Sequence, residues 1–245
     1  MVVWVYAGGG YAEASSIVPL LQQHFTEASF QRRTPAFRKP GPRPDVTAST
    51  ERVARRYAGN TGKDLLNEIK GDLTRFWQAN GPADLILVLD DSDCDPDPDG
   101  RLGTFEQTVR EGLTDAGCAA ENHPLIIPAL AIPELETWLL GDWEQTFARE
   151  FPNCHRRLQQ ALSAKGLRTA DPESFNCRPS AGEYIKLSED VLLPALAQEC
   201  EVRFSKATDT PKLLLRIRPE EVKKRCPYFR KYWVSLENYC RINKK

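Results

Sequence analysis

The chain has 245 residues, 41% hydrophobic and 27% charged, with a formal net charge of −1. Length and composition fit one large α/β domain, or such a domain with a helical extension, and exclude a fibrous or disordered chain. No apolar run approaches the length of a membrane span, and VVWVYA after Met1 reads as a strand rather than a signal peptide, so a cytoplasmic protein without a membrane partner is expected.

Val2–Ala7 is a β-rich run followed by Gly8, Gly9 and Gly10, and a helix fits Ala12–Phe25 with Ile17, Leu20 and Leu21 on one face. Strand, glycine turn and helix open a doubly wound α/β unit. The turn is not a dinucleotide fingerprint, because the third glycine position counted from Gly8 is Glu13. Gly62-Lys63 is not a P-loop either, since Asp64 stands where Ser or Thr is needed.

Ala28–Arg33 reads as a short second strand, Pro35 to Pro44 as a basic proline-rich loop, and Arg52, Arg55 and Arg56 as a helical stretch continuing that charge. Lys63–Asn80 is an amphipathic helix, with Leu65, Leu66, Ile69, Leu73, Phe76 and Trp77 at three- and four-residue spacing. Leu85–Leu89 is an unbroken apolar run, as in a strand buried on both faces of a parallel sheet.

Six aspartates follow that run, at 90, 91, 93, 95, 97 and 99. Carboxylates this close repel one another unless cations sit among them. A divalent-metal site at a strand end is one reading, and a solvated acidic loop is the other.

Thr104–Ala116 reads as a helix with Thr104 at its N-cap, and Pro124–Ile132 as another buried strand. A helix opening at Glu134-Leu135-Glu136-Thr137-Trp138 is expected to run to about Phe151. Further helices are expected at His155–Lys165, Tyr184–Gln198, Thr210–Ile217, Pro219–Arg225 and Pro227–Arg241. The last would turn Phe229, Tyr232, Trp233, Leu236 and Cys240 inward. The expected organisation is an α/β core over residues 1–150 and a helical, basic extension over 151–245 packed on it.

If the strands are parallel with right-handed crossovers, their carboxyl ends share one sheet edge. That edge would carry Glu13, Asp90, Asp91, Asp93, Glu134 and Glu136. Hard oxygen ligands from several strand ends suit Mg²⁺ or Mn²⁺. Asp95, Asp97, Asp99, Gly100, Leu102 and Glu106 also fall in the register of an EF-hand, which makes Ca²⁺ the alternative ion, although a strand precedes the loop where a helix should be. Glu134 and Glu136 can instead be first-turn glutamates favoured by a helix dipole.

Residues 203–245 carry 13 Lys/Arg against 4 Asp/Glu. Lys206, Lys212, Lys223, Lys224, Arg230 and Lys231 are the candidates for tracking phosphates or an acidic partner, and a solvated helix face is the plain alternative. The seven cysteines are scattered and form no CxxC pair, which argues for reduced thiols and against a disulfide framework or structural zinc.

The order of these motifs resembles a TOPRIM domain of the OLD-nuclease type, and more closely the domain-of-unknown-function family 4276, over most of the chain. The resemblance rests on Gly9-Gly10-Tyr11-Ala12-Glu13 after the first strand, Asp91-Ser92-Asp93 after the central strand, and Glu134, Glu136, Trp138, Leu139 and Leu140 opening a helix. Phe204-Ser205-Lys206-Ala207, Pro219-Glu220 and Pro227-Tyr228-Phe229-Arg230 carry it into the tail. It implies a mostly parallel sheet flanked by helices, with a helical C-terminal extension. It also implies a Mg²⁺- or Mn²⁺-dependent nuclease or phosphotransfer module, with Glu13, Asp91 and Asp93 as catalytic residues and an ATP-hydrolysing partner in phage defence. The family's first glutamate is Gly9 here and its threonine is Ala12, which implies impaired catalysis. A non-catalytic subunit that binds protein or nucleic acid is the alternative.

Overall fold

The computed structural model describes residues 1–34, 60–79, 81–180 and 183–242. The expected basic loop from Pro35 to Pro44 and the helical stretch of Arg52, Arg55 and Arg56 lie outside them. The chain is α/β, with a four-stranded, all-parallel sheet in the order β2-β1-β3-β4. Its strands are β1 (Val2–Ala7), β2 (Ser29–Thr34), β3 (Leu85–Asp91) and β4 (Leu125–Ala131). Val3 pairs with Leu85 and Ala7 with Leu89, so β3 continues two residues beyond the end of β1, to Asp91.

Two compact units arise: residues 1–90, 99–129 and 236–245 in one, and 91–98 and 130–235 in the other. The division falls at Asp90 and Leu130 rather than near residue 150. The reason is local: Ser92 N–H donates to the Ala131 carbonyl and Asp93 N–H to the Pro133 carbonyl, which ties the acidic loop to the chain after β4.

In the first unit, α1 (Tyr11–His24), α2 (Gly62–Phe76) and α3 (Pro98–Asp115) accompany the strands. Buried Ile17, Leu20 and Leu21 of α1, Leu65, Ile69 and Leu73 of α2, and Phe105, Val109 and Leu113 of α3 are the apolar stripes that periodicity required. The unbroken run Leu85–Leu89 is buried throughout, as a central parallel strand should be. Helix α3 starts six residues before Thr104, because Pro98 has the fixed φ of a first helical position and the Asp95 carboxylate accepts the Asp97 N–H just before it. Asp99, Gly100, Leu102 and Glu106 are therefore helical, and the twelve residues from Asp95 do not form the single loop of an EF-hand.

The second unit holds α4 (Glu136–Gly141), α5 (Phe147–Glu150), α6 (His155–Ala164), a π-helical turn over Leu187–Leu192 leading into α7 (Leu193–Cys200), α8 (Asp209–Leu214), α9 (Pro219–Arg225) and α10 (Pro227–Ile242), the last turns of which fall in the first unit. The helix expected from Glu134 to Phe151 is broken between α4 and α5. Fully buried Asp142 turns aside to pair with Arg218, and the Thr146 hydroxyl donates to the Leu139 carbonyl at 2.7 Å. Trp138 of α4 stacks on Tyr232 and meets Phe229 edge-on, with ring centres 5.4 and 5.0 Å apart.

The cysteines correct the expectation of a disulfide-free chain. Cys94 bonds to Cys177 and Cys154 to Cys200, with Cα atoms 6.1 and 5.3 Å apart. The partners lie 83 and 46 residues apart, so no local spacing could announce them. Among the described residues no helix is long and apolar enough to cross a membrane.

Candidate functional site

In the first unit the strand-end carboxylates serve the backbone. Glu13 accepts the Gly10 N–H at 2.6 Å, closing the N-terminus of α1 as a capping residue does. Asp90, its side chain fully buried, accepts the Gly62 N–H at 2.8 Å at the start of α2 and the Arg101 guanidinium at 2.5 Å. A carboxylate at a helix N-terminus, balanced by an arginine, is a stabilising arrangement.

The glycines of the β1–α1 turn fit against these two side chains. A Cβ on Gly8 would run into the Asp90 carboxylate. Gly9 has φ +84, in the left-handed region, and a Cβ there would lie 2.6 and 2.7 Å from the two Glu13 carboxylate oxygens. Backbone and space therefore reserve position 9 for glycine.

The second unit gathers the other carboxylates. Glu134 Oε2 accepts from the Ser188 hydroxyl, from the Ser188 N–H at 3.3 Å and from Lys206 Nζ at 3.2 Å. Lys206 Nζ also donates to Ser188 Oγ at 2.9 Å and stands 3.4 Å from Glu136 Oε2. Glu136 Oε1 accepts the Thr210 hydroxyl at 3.1 Å, while Oε2 is buried with no hydrogen bond. Burial holds the Glu136 carboxyl above the usual range, against the opposing pull of Lys206. Burial works against the Lys206 charge, but Glu136, Glu134 and Asp91 outweigh it and hold the ammonium well above its ordinary value. The Tyr184 phenol is held above its ordinary value chiefly by burial and then by the charges of Asp93, Glu134 and Asp91.

Of the expected residues, Asp91, Asp93, Glu134 and Glu136 thus belong to one neighbourhood, with Lys206 as the cation among them. Glu13 and Asp90 sit in the first unit in capping roles. Among the described residues, no group of three or more His, Cys, Asp or Glu side chains stands in position to hold a metal ion. The donor types nonetheless suit a hard divalent ion, and the Glu136 oxygen without a hydrogen bond is the kind of group a cation satisfies.

The family model for the domain of unknown function DUF4276 matches residues 10–237. The chain belongs to the DUF4276 family. No curated protein and no solved structure matches it significantly.

The other basic residues of this DUF4276 chain are mostly paired close by. Lys212 meets Asp209, Lys223 meets Glu220 and Lys224 meets Glu221, each one helical turn away. Lys231 lies over the Tyr228 ring, and Arg230 is on the same helix, its charge felt by Glu173. Ser188 and Thr210, which sit 54 and 74 residues from their carboxylate partners, are not legible in the sequence. Nothing in local spacing marks them. The only trace is that the π-helical turn opens on Leu187-Ser188, a geometry frequent at functional sites.

Proposed function

We propose that the cluster of the second unit is the working site of a TOPRIM-like, metal-dependent nuclease or phosphotransfer module with impaired activity. The observation that carries this reading is the meeting of Glu134 and Glu136, just after β4, on the Lys206 ammonium, whose charge Asp91 at the end of β3 also favours. Ligands of parallel α/β sheets bind where strands end.

Asp91, Asp93 and Glu134 would hold Mg²⁺ or Mn²⁺, with Glu136 beside them. When bound, such an ion supplies an activated water and neutralises phosphate charge. Lys206 is 37% exposed and held charged, so it can meet a phosphate oxygen as a point charge. Ser188 and Thr210 fix the orientation of Glu134 and Glu136 through their hydroxyls. The impairment follows from the first unit, where Gly9 carries no side chain and Glu13 caps α1. An ATP-hydrolysing protein partner and a role in phage defence belong to the same proposal and are supported by the resemblance alone.

The same observation about Gly9 and Glu13 favours a second reading, a non-catalytic subunit that binds a protein partner or nucleic acid. The experiment is a cleavage assay on plasmid and single-stranded DNA with Mg²⁺ and Mn²⁺. Slow cleavage by the wild type, lost in both Asp91→Ala and Lys206→Met, is the expected result. Cleavage that survives both substitutions contradicts this site. DNA binding without cleavage by any form would favour the second reading.

A further inference from the structure

The turn that carries Asp91 and Asp93 is held in a conformation its own residues disfavour. Asp93 has φ 48 and Cys94 φ 61, and neither is glycine. The left-handed region is uncommon for such residues and persists where surroundings enforce it. Three backbone bonds brace the turn: Ser92 N–H to Ala131 O at 2.9 Å, Asp93 N–H to Pro133 O at 3.2 Å and Asp95 N–H to Ser92 O at 3.0 Å.

The fourth brace is covalent. Cys94 is bonded to Cys177, 83 residues on. The Cys177 carbonyl accepts the Ile185 N–H at 2.9 Å. The disulfide therefore ties the aspartate turn to the segment that carries Tyr184, Lys186 and Ser188, and Ser188 donates to Glu134. A cross-link over so long a loop restrains the chain strongly, and its loss returns that freedom. Cys177 is buried and Cys94 half-buried, which leaves the Cys94 sulfur as the one a reductant reaches.

We propose that the Cys94–Cys177 disulfide is a redox latch that fixes the Asp91–Asp93 turn when formed and releases it when reduced. The co-reactant is a dithiol. One of its thiolates attacks the Cys94 sulfur, the S–S bond breaks, and Cys177 leaves as a thiolate that takes up a proton. The second thiol of the reductant attacks the mixed disulfide, Cys94 departs as a thiol, and the reductant becomes a disulfide. The protein gains two electrons and two protons. With the covalent brace gone, Asp93 and Cys94 can leave the left-handed region, and the two aspartates lose their fixed relation to Glu134 and Tyr184. The Cys154–Cys200 bond joins the start of α6 to the end of α7 and has no such connection to the turn.

The latch stands apart from any nuclease activity, so its test reads backbone exchange and not turnover. Full-length protein oxidised with glutathione disulfide is peptide-mapped without reduction, and amide hydrogen exchange is followed before and after dithiothreitol. A Cys94–Cys177 peptide is expected, with the Asp93 and Asp95 amides exchanging at least tenfold faster after reduction and in Cys94→Ser, and slowing again on reoxidation of the wild type. In Cys154→Ser those two amides should keep their oxidised-state rates. Absence of the Cys94–Cys177 peptide, or exchange at Asp93 and Asp95 that ignores reduction, overturns the proposal.

Discussion

Asp90 and Asp91 are neighbours in the chain and have opposite situations. Asp90 lies in the first unit with its side chain fully buried, between the α2 N-terminus and Arg101. Asp91 belongs to the second unit, where Glu134 and Glu136 pair with the partly exposed Lys206 ammonium and the Asp91 charge adds to their pull on it. The first carboxylate stabilises a helix end and an arginine, and the second adds to the field on Lys206. Carboxylate density at a strand end therefore does not identify a site by itself. What distinguishes Asp90 is that its carboxylate is committed to a helix N-terminus, through the Gly62 N–H, and to Arg101. Glu13 resembles Asp90 in serving a helix N-terminus, through the Gly10 N–H.

The largest effect should come from Asp90→Ala. It leaves Arg101 without its carboxylate and α2 without its N-terminal anion, and breaking such a buried pair costs about 3–5 kcal/mol. Urea unfolding measures this. A loss below about 1 kcal/mol would mean that Asp90 is not the structural carboxylate it is taken for.

Gly9→Glu tests the same unit from the glycine side. The left-handed backbone and the collision with the Glu13 carboxylate together should cost about 2–4 kcal/mol and should not create activity. A stable Gly9→Glu protein that cleaves DNA would show that the turn is adaptable and the site merely degenerate.

Glu173 extends the comparison to a capping carboxylate in the second unit. It accepts the Tyr228 and Phe229 N–H groups at the start of α10, and burial pushes it up to about 7. Its folded value lies above the ordinary 4.5, so its contribution is fully present below pH 4.5 and is lost as pH rises to about 7. That loss is on the order of 1–3 kcal/mol. Thermal melts of Glu173→Gln across this window should show a flatter pH dependence than the wild type, and an unchanged slope would remove Glu173 as the cause.

The smallest effect belongs to Lys223→Ala and Lys224→Ala. These lysines pair with Glu220 and Glu221 one turn back; Lys224 is exposed and the Lys223 side chain is 14% exposed with an exposed partner, and pairs open to solvent contribute below about 1 kcal/mol. If the basic face binds nucleic acid, their removal should instead flatten the salt dependence of affinity. An unchanged slope would leave them as a solvated face.

The strands and most helices were legible because their signals are local. Leu85–Leu89 is buried at every position, and the face of the last helix was readable as Phe229, Tyr232, Trp233 and Leu236. Long apolar runs and three- and four-residue spacings leave little choice of element. The places of Asp91 and Asp93 at the end of β3 and of Glu134 and Glu136 just after β4 are legible from the apolar runs before them. The position of Lys206 beside these glutamates is not, because 72 residues separate it from Glu134 and a basic tail reads first as a docking surface. Pro98 is not legible as a helix start, because the aspartates around it read as a loop. The disulfides, the break at Asp142 and the two-unit division all depend on tertiary partners that spacing does not encode.

Calorimetric titration with Mn²⁺ of the wild type, Asp91→Asn and Glu13→Gln tests the division between the two groups of carboxylates most directly. The account predicts that wild type and Glu13→Gln bind the ion alike, while Asp91→Asn weakens it at least about tenfold, the equivalent of about 1.4 kcal/mol. Binding that is lost in Glu13→Gln and retained in Asp91→Asn would contradict it.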